Sequence, residues 1–350
     1  MKKITAILLL TFLLLTSGSF YGFYRKDASA PKAEKSYVQE ETVAQNTEAP
    51  SISGYQYKHI VLIGVDGAGA FFSEASTSNI DRIFENGAIT YQCLTEQPSI
   101  SAPCWGSLLH GVAPSLHGLN NAIASTEPYP LNSEFPSIFR VIRENDPNAT
   151  LASFCGWNAI NIGIIEEDLG VYKVGGMSDK EISDKACQYL NTDSPTLMFI
   201  QFNEVDEEGH LSGYNSPSYL HKISVIDGYI GEIYDTCFQK GILEDTLFIV
   251  TSDHGGLYND HGGDSNEERY VMFAACGKTV EKGTIRDMEI RDTAAIVTHA
   301  LGLDNPSTWT ARVPSGLFEG MIAGDRPIYE KTHSDETHEY ESDSDKTDDK

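Results

Sequence analysis

Positive charge is what this chain has least of: 25 Lys and Arg stand against 51 Asp and Glu, a formal net charge of -26. Such a surface repels a phosphate backbone, which excludes a nucleic-acid polymer as partner. A small phosphate ester is still admissible where bound cations reverse the local field, so the deficit itself points to metal. The six cysteines (Cys93, Cys104, Cys155, Cys187, Cys237 and Cys276) include no CxxC spacing. A cysteine-rich zinc site is therefore excluded, although outside the cell some of them could pair. There is also no internal repeat, which excludes a repeat array.

What the chain does have is length and apolar content. With 350 residues, 40% of them hydrophobic, it can bury a large core, and it reads as one big α/β domain with appendages. Met1, Lys2 and Lys3 precede an apolar run from Ile4 to Tyr24, closed by Arg25 and Lys26. That is the pattern of an export signal. The run of about 21 residues is also long enough to span a bilayer at 1.5 Å per residue. Ala28-Ser29-Ala30 resembles a cleavage site, but Pro31 directly after it disfavours cutting. Residues 1–26 are read as a membrane anchor in preference to a removed signal peptide, with the body outside the cytoplasm, anchored or secreted. Residues 27–55 are a polar, flexible stalk, 56–328 the α/β domain, and 329–350 an acidic, disordered tail.

Between these ends the pattern alternates. Buried strands are expected at 59–65, 150–154, 197–202 and 247–252, bounded by turn residues. Helices are expected at 77–86, 102–110, 136–143, 179–190, 217–239 and 291–301. Strands interleaved with helices predict a largely parallel central sheet with helices on both faces. Ligands of such sheets bind beyond the carboxyl ends of the strands.

Three expected strands end in metal-compatible residues. The first ends at Asp66, a second at Asp253 and His254, and a third leads through Asn203 into Asp206 and His210. In a parallel sheet these ends converge, and five carboxylate and imidazole donors exceed one tetrahedral site. Ser101 precedes the helical stretch 102–110. A helix N-terminus there would favour negative charge, and a cation at its hydroxyl would make it a nucleophile. An ordinary helix cap is the competing reading for Ser101, and Ser99 is its rival as nucleophile.

Val65-Asp66-Gly67, the segment PSISAPCWGSLLHGVAPSLHG at 98–118, Asp206 with His210, and Ser252-Asp253-His254-Gly255 occur in a familiar order. Together they resemble the alkaline phosphatase superfamily, and most closely its type I phosphodiesterase/nucleotide pyrophosphatase family, over residues 57 to 325. The resemblance implies two divalent metal ions, zinc first, with manganese or magnesium as alternatives. It places one on Asp66, Ser101, Asp253 and His254 and the other on Asp206, His210 and a later histidine. His261, in a glycine-flanked loop, is the choice for the last ligand, ahead of His221 and His299, which fall within helices. Ser101 would attack phosphorus and form a phospho-enzyme. Cys104 stands where many relatives carry an asparagine that stabilises charge on the phosphoryl oxygens, and a thiol donates weakly. Trp157 and Asn158 are the candidate pocket wall. His110 and His117 are read as structural.

The expected function is therefore an exported metal-dependent phosphoric-ester hydrolase acting on a small substrate. A phospho-headgroup transferase of the cell envelope shares the same nucleophile and metals. A non-catalytic cation-binding surface protein is the reading from another class. Sulfatase chemistry, which the superfamily also contains, needs a C/S-x-P-x-R pattern that Cys104-Trp105-Gly106-Ser107 lacks.

Overall fold

The computed structural model describes residues 56–329, in which the apolar runs form eight strands. These are β1 (His59–Val65), β2 (Ala88–Leu94), β3 (Leu151–Cys155), β4 (Tyr172–Gly175), β5 (Leu197–Phe202), β6 (Thr246–Ser252), β7 (Tyr270–Cys276) and β8 (Gly283–Thr284). They make one sheet in the order β4-β3-β5-β1-β6-β7-β2-β8. β1 lies parallel between β5 and β6, and β3 and β4 continue the parallel half. β7 runs against both β6 and β2. The expected α/β sheet is therefore parallel at its centre and mixed towards one edge.

The helices are α1 (Ser78–Phe84), α2 (Ser101–His110), α3 (Pro114–His117), α4 (Asn121–Thr126), α5 (Ile138–Asn145), α6 (Asp179–Thr192), α7 (Glu204–Ser212), α8 (Pro217–Lys240), α9 (Asn266–Arg269) and α10 (Asp292–Ala300). Alternate residues of the central strands serve opposite layers, as the period of a strand requires. Ile60, Leu62, Phe199 and Ile249 pack with α2, α5 and α10, whereas Val61, Ile63, Ile200 and Val250 pack with α1, α6 and α8. Apolar cover on both faces explains why the central strands are continuous apolar runs.

Six expected helices recur within a few residues of their observed ends, and so do the four expected strands. β2, β4, β7 and β8 were not expected. β2 alternates buried and half-exposed positions and includes Thr90 and Gln92, so it lacks the unbroken apolar run that marked the others. Residues 204–212, for which no element was expected, form α7. The anchor, the stalk and, beyond Tyr329, the acidic tail lie outside the described residues. Among the described residues no helix is long and apolar enough to cross a membrane.

One consequence of register matters for function. Val65 is paired with Phe202 on one side and with Ser252 on the other. The carboxyl ends of β5, β1 and β6 therefore stop at one level, and Asn203, Asp66 and Asp253 emerge side by side.

Candidate metal centre

Asp66 leaves β1 just before Gly67, whose φ of 65° is a left-handed value that suits glycine. A Cβ there would also lie 2.4 Å from Asp206 Oδ1. The Gly67 N–H donates to Asp253 Oδ1 at 3.0 Å. Asp66 Oδ2 accepts from Trp105 Nε1 at 2.9 Å and from Gln201 Nε2 at 2.8 Å. Trp105 reaches it because Gly64 leaves room on β1; a Cβ at that position would lie 2.2 Å from the indole ring. The other oxygens, Asp66 Oδ1 and Asp253 Oδ2, are buried with no hydrogen-bond partner.

His254 completes this inner group. Its Nδ1 faces the Gly255 carbonyl at 2.9 Å, and since a carbonyl only accepts, the proton sits on Nδ1. That leaves Nε2 as a bare lone pair, 3.5 Å from Asp66 Oδ1, 3.3 Å from Asp253 Oδ2 and 3.4 Å from Ser101 Oγ. Burial, then the charge of Asp206, pushes the Asp66 carboxyl up to about 8. Burial, then the charges of Asp66 and Asp206, raises Asp253. Burial, then His261, lowers His254 to about 4. Acceptors crowd here without donors, so the group must hold either protons or a cation.

The outer group sits on α7, where the i, i+4 spacing puts Asp206 and His210 on one face. His210 Nε2 is 3.4 Å from Asp206 Oδ2, and His261 Nε2 is 3.8 Å from Asp206 Oδ1. The far nitrogens of both rings are again held by backbone carbonyls: His210 Nδ1 by Asn259 at 2.9 Å and His261 Nδ1 by Ser99 at 2.8 Å. Tyr214 donates its phenol to Asp206 Oδ1 at 2.5 Å. Its ring fits only because Gly209 and Gly256 carry no Cβ; one would meet the ring at 2.6 and 2.5 Å respectively. Burial works to raise the Asp206 carboxyl, but the hydrogen bond to His210 and the charges of His254 and His261 outweigh it and hold it at about 2. The bond to Asp206 raises His210 to about 9. The two groups touch through His254 and His261, whose rings stack at 3.9 Å. Donor atoms of Asp206, His210 and His261 lie within 4.8 Å of one another, and so do those of Asp66, Asp206 and His254.

Ser101 is the first residue of α2 and is 7% exposed. Its rival Ser99 is committed to the 261–263 loop, donating to Gly263 O at 2.8 Å and accepting from Gly262 N at 3.1 Å. Cys104 is fully buried, donates to Pro98 O at 3.7 Å, and has its thiol pKa raised by burial. Trp157 is half-buried, and its backbone N–H donates to Gln201 Oε1 at 2.9 Å, the side chain that in turn donates to Asp66. Asn158 Oδ1 accepts from Asn161 Nδ2 at 3.3 Å.

The remaining histidines are used elsewhere. Both nitrogens of His110 face carbonyls, of Phe135 and Ile164, and His117 contacts Ser107 Oγ at 3.1 Å. His221 and His299 lie exposed on α8 and α10. All six thiols are free. Sequence reasoning missed Trp105, Gln201 and Tyr214, which hold the acidic residues in place, and Asn121, whose Oδ1 accepts from the Ala102 N–H at 2.9 Å. Only the i+4 spacing of Trp105 from Ser101 offered a signal in the sequence.

A mostly parallel sheet, helical layers on both faces and a metal-compatible centre at the carboxyl rim define the alkaline-phosphatase-like α/β fold. The resemblance read from the motifs is borne out: the family model described as type I phosphodiesterase / nucleotide pyrophosphatase matches residues 165–299. That span holds Asp206, His210, Asp253, His254 and His261, while Asp66 and Ser101 precede it.

Among solved structures, murine ectonucleotide pyrophosphatase/phosphodiesterase 5, in an inactive form in complex with AMP, is 16% identical at a TM-score of 0.58. That likeness covers 71% of this chain and 96% of the other, and it concerns the fold. Among curated proteins, the 2,3-bisphosphoglycerate-independent phosphoglycerate mutase of Onchocerca volvulus is 27% identical over 39% of this chain and 27% of its own length. The GPI ethanolamine phosphate transferase 2 of Yarrowia lipolytica is 21% identical over 75% of this chain and 32% of its own. The chain thus spans about a third or less of these relatives' length. The fold is that of the alkaline-phosphatase-like neighbours, and the model that matches part of the chain is that of type I phosphodiesterases and nucleotide pyrophosphatases.

Proposed function

We propose that this chain is an exported, metal-dependent phosphoric-ester hydrolase, phosphodiesterase/pyrophosphatase-like, with Ser101 as nucleophile. One observation carries the reading. Three imidazoles, each with Nδ1 pinned to a backbone carbonyl, turn their Nε2 atoms towards carboxylates, and two buried carboxylate oxygens among these lack any donor. Pinning the far nitrogen fixes the tautomer and ring orientation that metal ligation needs. The residues present therefore fit divalent cations. Asp66, Ser101, Asp253 and His254 would hold one; Asp206, His210 and His261 would hold a second.

Mixed imidazole and carboxylate donors suit zinc first, with manganese or magnesium as alternatives. Bound there, the cations would supply positive charge for the phosphoryl and leaving oxygens and acidify the serine hydroxyl. Ser101 Oγ, at the tip of a ten-residue helix, attacks phosphorus while the ester P–O bond opposite breaks. The helix N-terminus favours the charge that gathers there. Water then cleaves the phosphoserine and returns the hydroxyl. Export rests on the basic, apolar start of the chain, and a small phosphate ester is the substrate class that its acidic surface admits.

The test is a panel of p-nitrophenyl phosphate mono- and diesters with added zinc or manganese. Ser101→Ala is expected to lose turnover by at least about a thousandfold while its metal content stays near wild type. Retained activity with lost metal would overturn the nucleophile assignment. The match to the ethanolamine phosphate transferase, which covers 75% of this chain, favours a second reading in which an alcohol accepts the phosphoryl-bearing group. Measuring products with water alone and with an added alcohol separates the two.

A further inference from the structure

α7 carries two of the three ligands of the outer group, Asp206 and His210, yet little packing holds it. Only Val205 and Gly209 of its nine residues are buried, and a helix this short depends on the apolar face it buries. Its ends must therefore fix where the two ligands point. At the C-terminal end Asn259 does so. His210 Nδ1 donates to Asn259 O at 2.9 Å, and Asn259 Nδ2 donates to His210 O at 3.1 Å.

The N-terminal end is held from another helix. The first N–H groups of a helix have no partner within it. Asn203, directly before α7, gives no side-chain cap, and its amide donates to Glu207 Oε1 at 2.7 Å instead. The acceptor is Asp179, the first residue of α6, which is fully buried. Its Oδ1 accepts from the Asn203 N–H at 2.7 Å and its Oδ2 from the Glu204 N–H at 2.9 Å. Glu204 returns the contact: Oε1 accepts from the Asp179 N–H at 3.1 Å, and Oε2 accepts from Lys222 of α8 at 2.9 Å. The starts of α6 and α7 thus cap each other. Gly156 keeps the space open for them, since a Cβ there would lie 2.9 Å from Asn203 Cβ and 3.1 Å from Asp179 Oδ1.

We propose that Asp179 is a positioning residue for the outer cation: by gripping the start of α7 it fixes the direction in which Asp206 and His210 present their donor atoms. This rests on the reading of Asp206, His210 and His261 as ligands of one cation. Asp227 supplies the contrast. It is also buried, on α8, and it grips the start of α1 in the same way, accepting from the Asn79 N–H at 3.0 Å and the Ile80 N–H at 2.8 Å. α1 carries none of the proposed ligands. Loss of either cap costs stability, but only loss of Asp179 costs metal.

Asp179→Asn and Asp227→Asn in the full-length protein test the assignment, since each amide keeps one acceptor and turns a donor towards the other N–H. Zinc affinities would be measured by competition with a chelator of known affinity, with His210→Ala identifying the outer cation. Melting midpoints after chelation and turnover of p-nitrophenyl phosphate esters at rising zinc complete the set. Asp179→Asn is expected to weaken the outer cation by about 10- to 100-fold, the usual loss when a group that orients a ligand is removed, and the inner one by less than about threefold. Turnover should return towards the wild-type kcat at saturating zinc. Asp227→Asn should lower the melting midpoint and leave both affinities within about threefold of wild type. If Asp179→Asn does not fold, Asp179→Ser, whose hydroxyl still accepts from one N–H, carries the test with an expected loss of about 10-fold.

An outer-cation affinity within about threefold of wild type in a folded Asp179 variant overturns the assignment. So does equal weakening of both cations, or a matching loss in Asp227→Asn, because either marks a general loosening of the fold. A wild type that binds two cations and turns over no ester would overturn the hydrolase reading and leave Asp179 in its role, which is read in affinity. A wild type that takes no cation on Asp206, His210 and His261 overturns both.

Discussion

The inner and outer groups of the centre use the same residue kinds in opposite surroundings. Asp66, Asp253 and His254 are at most 1% exposed and hang from the rigid ends of β1 and β6. In the outer group, His210 leaves 42% of its side chain in solvent and rides on the short α7. Buried carboxyls that no protonated imidazole balances hold their own protons, whereas Asp206 stays ionised because His210 takes the proton instead. A cation entering the inner group therefore expels protons from acids; one entering the outer group expels a proton from imidazole. Burial thus decides which residue type stores the proton that metal replaces.

The sharpest way to break this contrast is to delete one ligand from each group. Asp253→Ala is expected to lose one equivalent of cation outright and turnover by more than about a thousandfold, without rescue by excess metal. His210→Ala should weaken one cation by about 100-fold and regain much of its activity when metal is raised. Metal titrations read by turnover and by elemental analysis check both, and equal rescue of the two variants would erase the distinction.

Acidity provides a second handle. In metal-free protein the native Asp66 holds its proton to about pH 8, against an ordinary carboxyl value of 3.8. Between those limits the native state binds a proton that the unfolded chain has released, so stability falls as pH rises, by at most ~1.4 kcal/mol per pH unit for that proton. His210, raised from 6.5 to about 9, holds its proton in the native state as well. Its contribution is present below pH 6.5 and fades as pH passes 9, so its slope has the same sign in a later window. Melting midpoints after chelation should fall from pH 5 to 8, and Asp66→Asn should flatten the early part of that fall. A midpoint that instead climbs over this range would show that the inner carboxyls carry no extra protons.

The smallest expected effect is that of Tyr214→Phe. Loss of the phenol that holds Asp206 should weaken the outer cation by about 10-fold and leave the inner one untouched. Competition with a chelator of known affinity measures it, and a change in the inner cation of the same size would contradict the separation.

Legibility from sequence followed burial. β1, β5 and β6 were readable because both faces are covered, and their ends led to Asp66, Asp253 and the Asp206 segment. α7 was not expected, although the i, i+4 spacing of Asp206 and His210 is helical; Gly209 within it and the strand directly before it leave little apolar periodicity to read. β2 interrupts its apolar run with Thr90 and Gln92, and only the four-residue α9 separates β7 from β6, so neither showed the long-helix alternation of the parallel half. Trp105, Gln201, Tyr214 and Asn121 act through partners at least 8 residues away, and up to 135 for Gln201. Such partners exist only once the chain has folded. Composition says nothing about which nitrogen of a ring a carbonyl will claim.

The face-to-face pair of His254 and His261 makes the boundary between the groups a shared wall rather than a gap. One ring comes from the loop after β6 and is locked there by Gly255; the other is held by Ser99, two residues before the serine. Tilting either plate displaces its neighbour, so the nucleophile's own loop feels how both compartments are filled.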